Sequence, residues 1–369
     1  MTRPYFAQSA SWNRTASALG AADSTYNPEF VKRLLNHGGG PNGPQRITPM
    51  FREYSIPIYD AAEAKGQTAR AYQSNWAMAQ QSFISPLGIT IPWSPTWQPA
   101  PGNDHSMIIV DEAKGEVWEL WGVDGTNIWG ALSWPNIGNG LLNGFGTKVV
   151  MASCNHYLGL WTGTDGTVTS IGRGMGTHKL VAGPVRAAEV ADGRIDHALS
   201  LLVANPMFGP MAKPPVGNTG PGAGYSTGFY CRPATRLEHA NPATLNYGGL
   251  TGQATDANRA ISIPSGMRFA LRISDAEIDM WLDSRRFTGA LRTTARIFAV
   301  ALREYGMIVA DTCGAGMLIE TDGLVNPVTR ALWAKCGIID TGNYPSPYAD
   351  LLDGLTTADR LYVVAMPAT

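Results

Sequence analysis

Charge is what this chain has least of: Asp, Glu, Lys and Arg together make up 15% of its 369 residues, against roughly 25% in an ordinary soluble domain. Its surface must be either uncharged, polar and glycine-rich or partly covered by other subunits. We favour the second, so a homo-oligomer or larger assembly is the expected state. The 28 basic and 29 acidic side chains cancel, so no overall field draws the protein to nucleic acid or to an acidic membrane surface. Long apolar runs are missing too. None approaches the roughly 18 residues that cross a bilayer, and residues 1–10 have no apolar signal core. The expectation is a chain made in the cytosol that keeps its first residues, with no membrane insertion. Cys154, Cys231, Cys313 and Cys336 are far apart, with no CxxC or other ligand spacing, so buried free thiols are expected and a metal site is not. There is no GxSxG, no HExxH and no calcium loop. The glycines of 171–176 imitate a phosphate-cradling turn, but no Lys-Ser/Thr follows and no βαβ unit surrounds them. That stretch reads as a surface loop, and no cofactor is expected.

What is present is mostly β-prone. Residues 1–50 read as an arm carrying one short helix, 28–36, with Asn27 as cap, Pro28 at the first position and Glu29 in the first turn. Gly38-Gly39-Gly40-Pro41 stops it. The aromatics Tyr5, Phe6 and Trp12 come without periodicity, so the arm is expected to pack on a neighbouring subunit. Residues 51–204 form a β-rich core of short runs, 55–59, 106–111, 116–121, 128–134 and 148–153, separated by turn residues. The runs 106–111 and 116–121 are joined by a short polar loop ending in Gly115 and predict a hairpin. In its second strand Trp118 and Leu120 share one face, and Val117, Glu119 and Trp121 the other. A short helix at 184–192 stops at Gly193, and 195–203 reads as an apolar strand. Residues 205–260, rich in glycine and proline, read as a long loop excursion and a candidate interaction loop.

Residues 261–369 complete the same core. The spacing predicts a strand at 268–273, a capping box of Ser274 and Glu277 that starts a helix over 275–284, and a second helix over 289–305 closed by Gly306. Strands at 307–311 and 361–365 follow. The fold class is therefore mainly β with α+β elements: a β-sandwich or jelly-roll-like core with a C-terminal helix pair packed on the sheet.

Two constellations carry possible chemistry. Asp104-His105 and Asp196-His197 pair an imidazole with a carboxylate, the makings of a general base. Adjacent strand residues point to opposite faces, however, so a site needs members of both dipeptides to converge, with Asp311 or Tyr305. The plain alternative is that all are hydrogen-bonded structural residues. Tryptophan is crowded between Trp93 and Trp134, and an exposed indole stacks well on a sugar ring. Trp93 and Trp97 lie in a segment without strand alternation and are the expected glycan-binding pair, against the alternative that they fill core.

The motifs Ser11-Trp12-Asn13-Arg14, Ile91-Pro92-Trp93-Ser94-Pro95-Thr96-Trp97, the 107–121 hairpin, Gly193-Arg194-Ile195-Asp196-His197-Ala198-Leu199 and Arg303-Glu304-Tyr305-Gly306-Met307-Ile308-Val309-Ala310-Asp311 together resemble minor tail proteins of actinobacteriophages and their uncharacterised actinobacterial relatives. The likeness runs from about residue 11 to about residue 316. It implies a virion component at or near the tail tip, assembled in the host cytoplasm, whose partners are other tail proteins and a host cell-wall glycan. It transfers no catalytic residues. The competing class is a glycan-active hydrolase or lyase on a β-sandwich, disfavoured by the lack of a clear paired-carboxylate arrangement.

Overall fold

The structure is a computed structural model that describes residues 2–22, 27–37, 46–73, 88–102, 104–123, 148–151, 153–163, 179–203, 218–221, 227–234, 245–247, 250–252, 263–313, 316–342 and 348–365. The first half supplies β1 (Thr48–Met50), β2 (Ile58–Asp60), β3 (Thr68–Gln73), β4 (Ile89–Pro92), β5 (Met107–Asp111), β6 (Glu116–Trp121), β7 (Lys148–Met151) and β8 (Ser153–Leu158). The second supplies β9 (Leu199–Val203), β10 (Asn218–Pro221), β11 (Thr227–Tyr230), β12 (Leu245–Tyr247), β13 (Leu250–Gly252), β14 (Arg268–Leu271), β15 (Met307–Thr312), β16 (Met317–Glu320) and β17 (Leu361–Val363). Helices are α1 (Ala16–Leu19), α2 (Asn27–His37), α3 (Ala187–Ala191), α4 (Asp275–Arg285), α5 (Gly289–Glu304) and α6 (Pro327–Lys335).

Local chemistry starts and stops the β5–β6 hairpin, α4 and α5 as the sequence predicts, whereas Asn27, expected as the cap of the first long helix, is that helix's first residue and its side chain accepts from the Val363 N–H at 2.7 Å. In the β5–β6 hairpin the Asp111 carboxylate accepts from the Lys114 N–H at 3.0 Å, and Gly115 takes φ 66° to complete the turn. At α4 the Ser274 hydroxyl accepts from the Glu277 N–H, and the Glu277 carboxylate accepts in return from the Ser274 N–H, so two orphan donors of the first turn are satisfied. After α5, Gly306 sits at φ 74°, and a Cβ there would lie 2.1 Å from the Phe269 carbonyl oxygen. Both the dihedral and the space demand glycine. Gly306→Ala is expected to cost about 2–3 kcal/mol, read as a lower urea midpoint with an unchanged slope.

Three sheets stack behind one layer of helices. The six-stranded sheet has the order β1-β16-β9-β15-β14-β17, the four-stranded sheet β2-β5-β6-β8, and the three-stranded sheet β4-β3-β7. Alternation assigns the faces. Leu199, Leu201, Met307, Val309, Met317 and Ile319 point to one side of the large sheet, where they meet Phe30 and Leu34 of α2, Trp281 of α4, Phe298 of α5 and Trp333 of α6. Ile308 and Ala310 point to the other side and meet Ile108, Val110 and Val117 of the β5–β6 hairpin. The opposite face of that hairpin, Met107, Ile109, Trp118 and Leu120, packs on Ala69, Ala71, Ile91, Val149 and Met151 of the small sheet. The hairpin is thus buried on both sides. The helix pair α4–α5 packs on the large sheet, and the class is mainly β with α+β elements. The parallel pairs β1–β16, β9–β15, β2–β5 and β3–β7 make it a stack of mixed sheets, not an all-antiparallel jelly roll.

The expectation for the arm is overturned. The arm does not reserve its aromatics for a neighbour, because Tyr5, Phe6, Ala10 and Trp12 are buried between the large and the four-stranded sheets of its own chain. Main-chain bonds hold it there, from Phe6 N–H to Leu160 O at 2.6 Å and from Ala198 N–H to Trp12 O at 2.8 Å. Arg268, 1% exposed, donates to the carbonyls of Ser11, Arg14 and Tyr305. Within 205–260 the described residues form two antiparallel hairpins, β10–β11 and β12–β13. Apart from 231–234, the rest of that stretch, the expected strand at 128–134 and the glycine loop 171–176 lie outside the described residues. Among the described residues no helix is long and apolar enough to cross a membrane, and no cluster of three or more His, Cys, Asp or Glu could hold a metal ion.

Candidate functional site

The polar groups of the molecule gather at the core between the large and the four-stranded sheets. Glu119 follows Val117 by two residues and so enters this core. Its carboxylate accepts from Tyr157 Oη at 2.7 Å, from Val181 N–H at 2.9 Å and from Asn155 Nδ2 at 3.3 Å. Burial pushes its pKa up, against these bonds and the nearby Lys179. The Lys179 ammonium lies 4.5 Å over the Tyr157 ring and 5.1 Å over that of Phe6. Across the gap Ser200 Oγ donates to the Glu320 carboxylate at 2.6 Å. Trp12, Lys179, Ser200, Asp311 and Glu320 line a cavity of about 10 Å³, the space of one water molecule. A sugar ring does not fit there. Ser200 and Glu320 are on neighbouring strands of the large sheet, and Glu119, Asn155 and Tyr157 on neighbouring strands of the four-stranded sheet, so both sheets present polar groups to one gap.

The predicted residues fall around it in separate places. His197 is 3% exposed, with Nδ1 2.8 Å from the Ala198 carbonyl oxygen and Nε2 3.2 Å from the Glu189 carboxylate. Glu189 is also ion-paired with Arg186. Burial alone would raise the Glu189 pKa, but Arg186 and then His197 hold it down to about 2. Arg186 in turn lies 4.0 Å over the Tyr5 ring and donates to Arg3 O at 2.6 Å, so this buried network clamps the arm. Asp196 is paired with Arg194 at 2.6 Å and accepts from Tyr305 Oη at 3.5 Å. Asp104 accepts from Trp121 Nε1 at 3.4 Å, and the main chains of Asp104 and His105 accept from Gly122 and Val123. That dipeptide belongs to the far end of the hairpin, while Asp196 and His197 lead into β9 beside α3. Asp311 lines the small cavity and accepts from the Thr312 N–H. The structure therefore brings Asp196 to Tyr305 and His197 to Glu189, and it anchors the two Asp-His pairs apart.

The tryptophans divide. Trp97 is 5% exposed, stacked on Tyr59 at 4.9 Å and met edge-on by Trp93 at 6.0 Å. The expectation that Trp97 offers a free face is overturned. Tyr59 of β2, distant in sequence, closes over it. Trp93 is half-buried, oriented by Trp97 and by its own N–H on Gln67 O at 3.1 Å. Beside them Glu63 is carried by the turn 61–64, whose Ala61 and Ala64 pack in the same cluster, and burial raises its pKa.

Sequence reading missed Glu119, Lys179, Arg186, Glu189 and Glu63. Only Glu119 carried a signal, as a carboxylate on the same strand face as Val117. No protein-family model, curated protein or solved structure matches this chain.

Proposed function

We propose that this chain is a structural and recognition component of a phage virion, a minor tail protein at or near the tail tip of a phage of actinobacteria. It works by contact area, holding other tail proteins and its own copies and gripping a host cell-envelope glycan. The observation that carries this reading is the state of His197. Both ring nitrogens of the strongest candidate base are committed inside a buried ion-pair network, and a base must have a nitrogen within reach of substrate. Four of the five segments behind the tail-protein resemblance fit the same picture, 91–97 packing instead on the other face of the hairpin. Trp12, the β5–β6 hairpin, Ala198, Ile308 and Ala310 meet in one intersheet core, so the likeness lies in a scaffold.

Imaging an assembled particle with this chain labelled tests the reading, which requires density at the tail. In parallel, the purified chain is incubated with actinobacterial cell-wall polysaccharide, and no new reducing or unsaturated ends are expected. His197→Ala should cost about 1–3 kcal/mol of stability, because it leaves part of the Glu189 carboxylate unpaired. Polysaccharide turnover that disappears in His197→Ala would replace this reading with a glycan-active hydrolase or lyase.

A further inference from the structure

Outside the intersheet core, one surface combines a pre-oriented aromatic face with an acceptor. Trp93 is half-buried and its backbone is pinned to Gln67. Its ring meets that of Trp97 at 74°, edge against face. Trp97 is itself immobilised by stacking on Tyr59, whose hydroxyl both donates to and accepts from the Gln98 main chain. Glu63 is on the turn 61–64, whose Ala61 and Ala64 pack in the same cluster as Trp93 and Trp97. A half-exposed indole and a half-exposed carboxylate thus border the same aromatic cluster. The hydroxyls of Ser94 and Thr96, 2.8 Å apart, lie in the turn beside them.

We infer that Trp93 and Glu63 form a ledge for a neutral sugar residue with adjacent free hydroxyls, Trp93 as the stacking platform and Glu63 as the residue that sets specificity. This rests on the glycan-binding part of the reading above and deepens it. An ionised carboxylate has about four lone-pair sites. Those of a half-exposed carboxylate such as Glu63 suit a pair of sugar hydroxyls. The same charge repels uronate and sulfated glycans. An aromatic cage for a quaternary ammonium would need two or more open ring faces around the cation. Here Tyr59 and Trp97 are buried against each other, so of the three rings Trp93 alone is half-exposed, and a single ring suits a sugar's apolar face.

The test is calorimetric titration of the full chain with three probes: a neutral arabinan or galactan oligosaccharide, a uronate oligosaccharide of equal length, and choline chloride. Binding of the neutral oligosaccharide at micromolar to millimolar Kd is expected, with the other two silent. Trp93→Ala should weaken it at least about tenfold and Glu63→Gln about tenfold. Urea melts run alongside show whether each variant is folded, and Glu63→Gln, at a half-exposed position, keeps the test alive if Trp93→Ala unfolds. The inference is overturned by unchanged affinity in folded Trp93→Ala or in Glu63→Gln, by uronate or choline binding as tightly as the neutral sugar, or by no binding at all. Particle imaging separates the two failures. A chain found in the tail that binds none of the probes loses this ledge and keeps its tail role, whereas ledge binding by a chain absent from tails does the reverse.

Discussion

Arg268→Ala is expected to lower stability by about 3–5 kcal/mol and to release the arm from between the sheets. Arg268 is on β14 opposite Ile308, so it faces the intersheet core, where it is 1% exposed. Its Nε donates to Tyr305 O at 2.6 Å, Nη1 to Ser11 O at 2.9 Å and Nη2 to Arg14 O at 2.6 Å. Truncation orphans three carbonyls from two distant segments. Each buried orphan costs about 1–3 kcal/mol, and the loss is capped by the arm's escape to water. Arg268→Lys should rescue little, since one ammonium cannot span three acceptors that a planar fork reaches together. Hydrogen exchange reads the mechanism. The amides of Phe6 and Asn13, bonded to Leu160 O and Ala10 O, should lose protection in the alanine variant before the β5–β6 amides do. Equal protection of the arm in both proteins would show that Arg268 does not hold it.

How much of this was readable beforehand depends on the sequence distance over which each feature is decided. The β5–β6 turn, the Ser274–Glu277 capping box and the Gly306 stop are settled by residues a few positions apart, and all three are where local rules put them. The burial of Trp97 depends on the Tyr59 ring, brought to it by β2, a strand that pairs with β5 in another sheet, and nothing within 91–97 encodes it. Arg268 misleads for a related reason. A charged residue in a short strand reads as the solvent side of an alternating sheet, but all four residues of β14 are buried. A sheet covered on both faces erases the alternation that marks inside from outside. The arm follows the same logic. Its aromatics signal burial, but whether the covering sheets belong to this chain or to another is a tertiary fact. Of the candidate site, the residue types were legible and their convergence was not. His197 was visible as an imidazole, while its partner Glu189 became visible only once α3 lay beside the lead into β9.

The corner where the two larger sheets join makes the second large effect, a stability that falls as pH rises. The Asp322 carboxylate accepts from the Ile58 N–H of β2 at 3.1 Å and from Thr329 Oγ1 of α6 at 3.0 Å. Its carbonyl accepts from Trp333 Nε1 at 2.8 Å. Burial is the largest influence on it and pushes its pKa from 3.8 up to about 7. Because the folded state then holds this proton more tightly than the unfolded chain, the stabilisation is full below the unfolded value and is lost as pH rises through the folded one. Between about pH 5 and about pH 8 the loss amounts to about 2–3 kcal/mol. Glu119, also raised by burial, acts in the same direction. Glu189, held down to about 2, does the opposite, stabilising above the ordinary glutamate range and losing its contribution only in acid, outside this window. Asp322→Asn separates these contributions. The amide oxygen can still accept from Ile58, and the amide nitrogen can donate to Thr329, with no proton to lose. Urea midpoints across the window should fall less steeply for the asparagine variant, which should be the more stable protein at about pH 8 and the less favoured one in mild acid, where the protonated wild-type carboxyl keeps its bonds without charge. Parallel curves for the two proteins would mean that Asp322 is ionised throughout and that the sheet junction owes nothing to a shared proton.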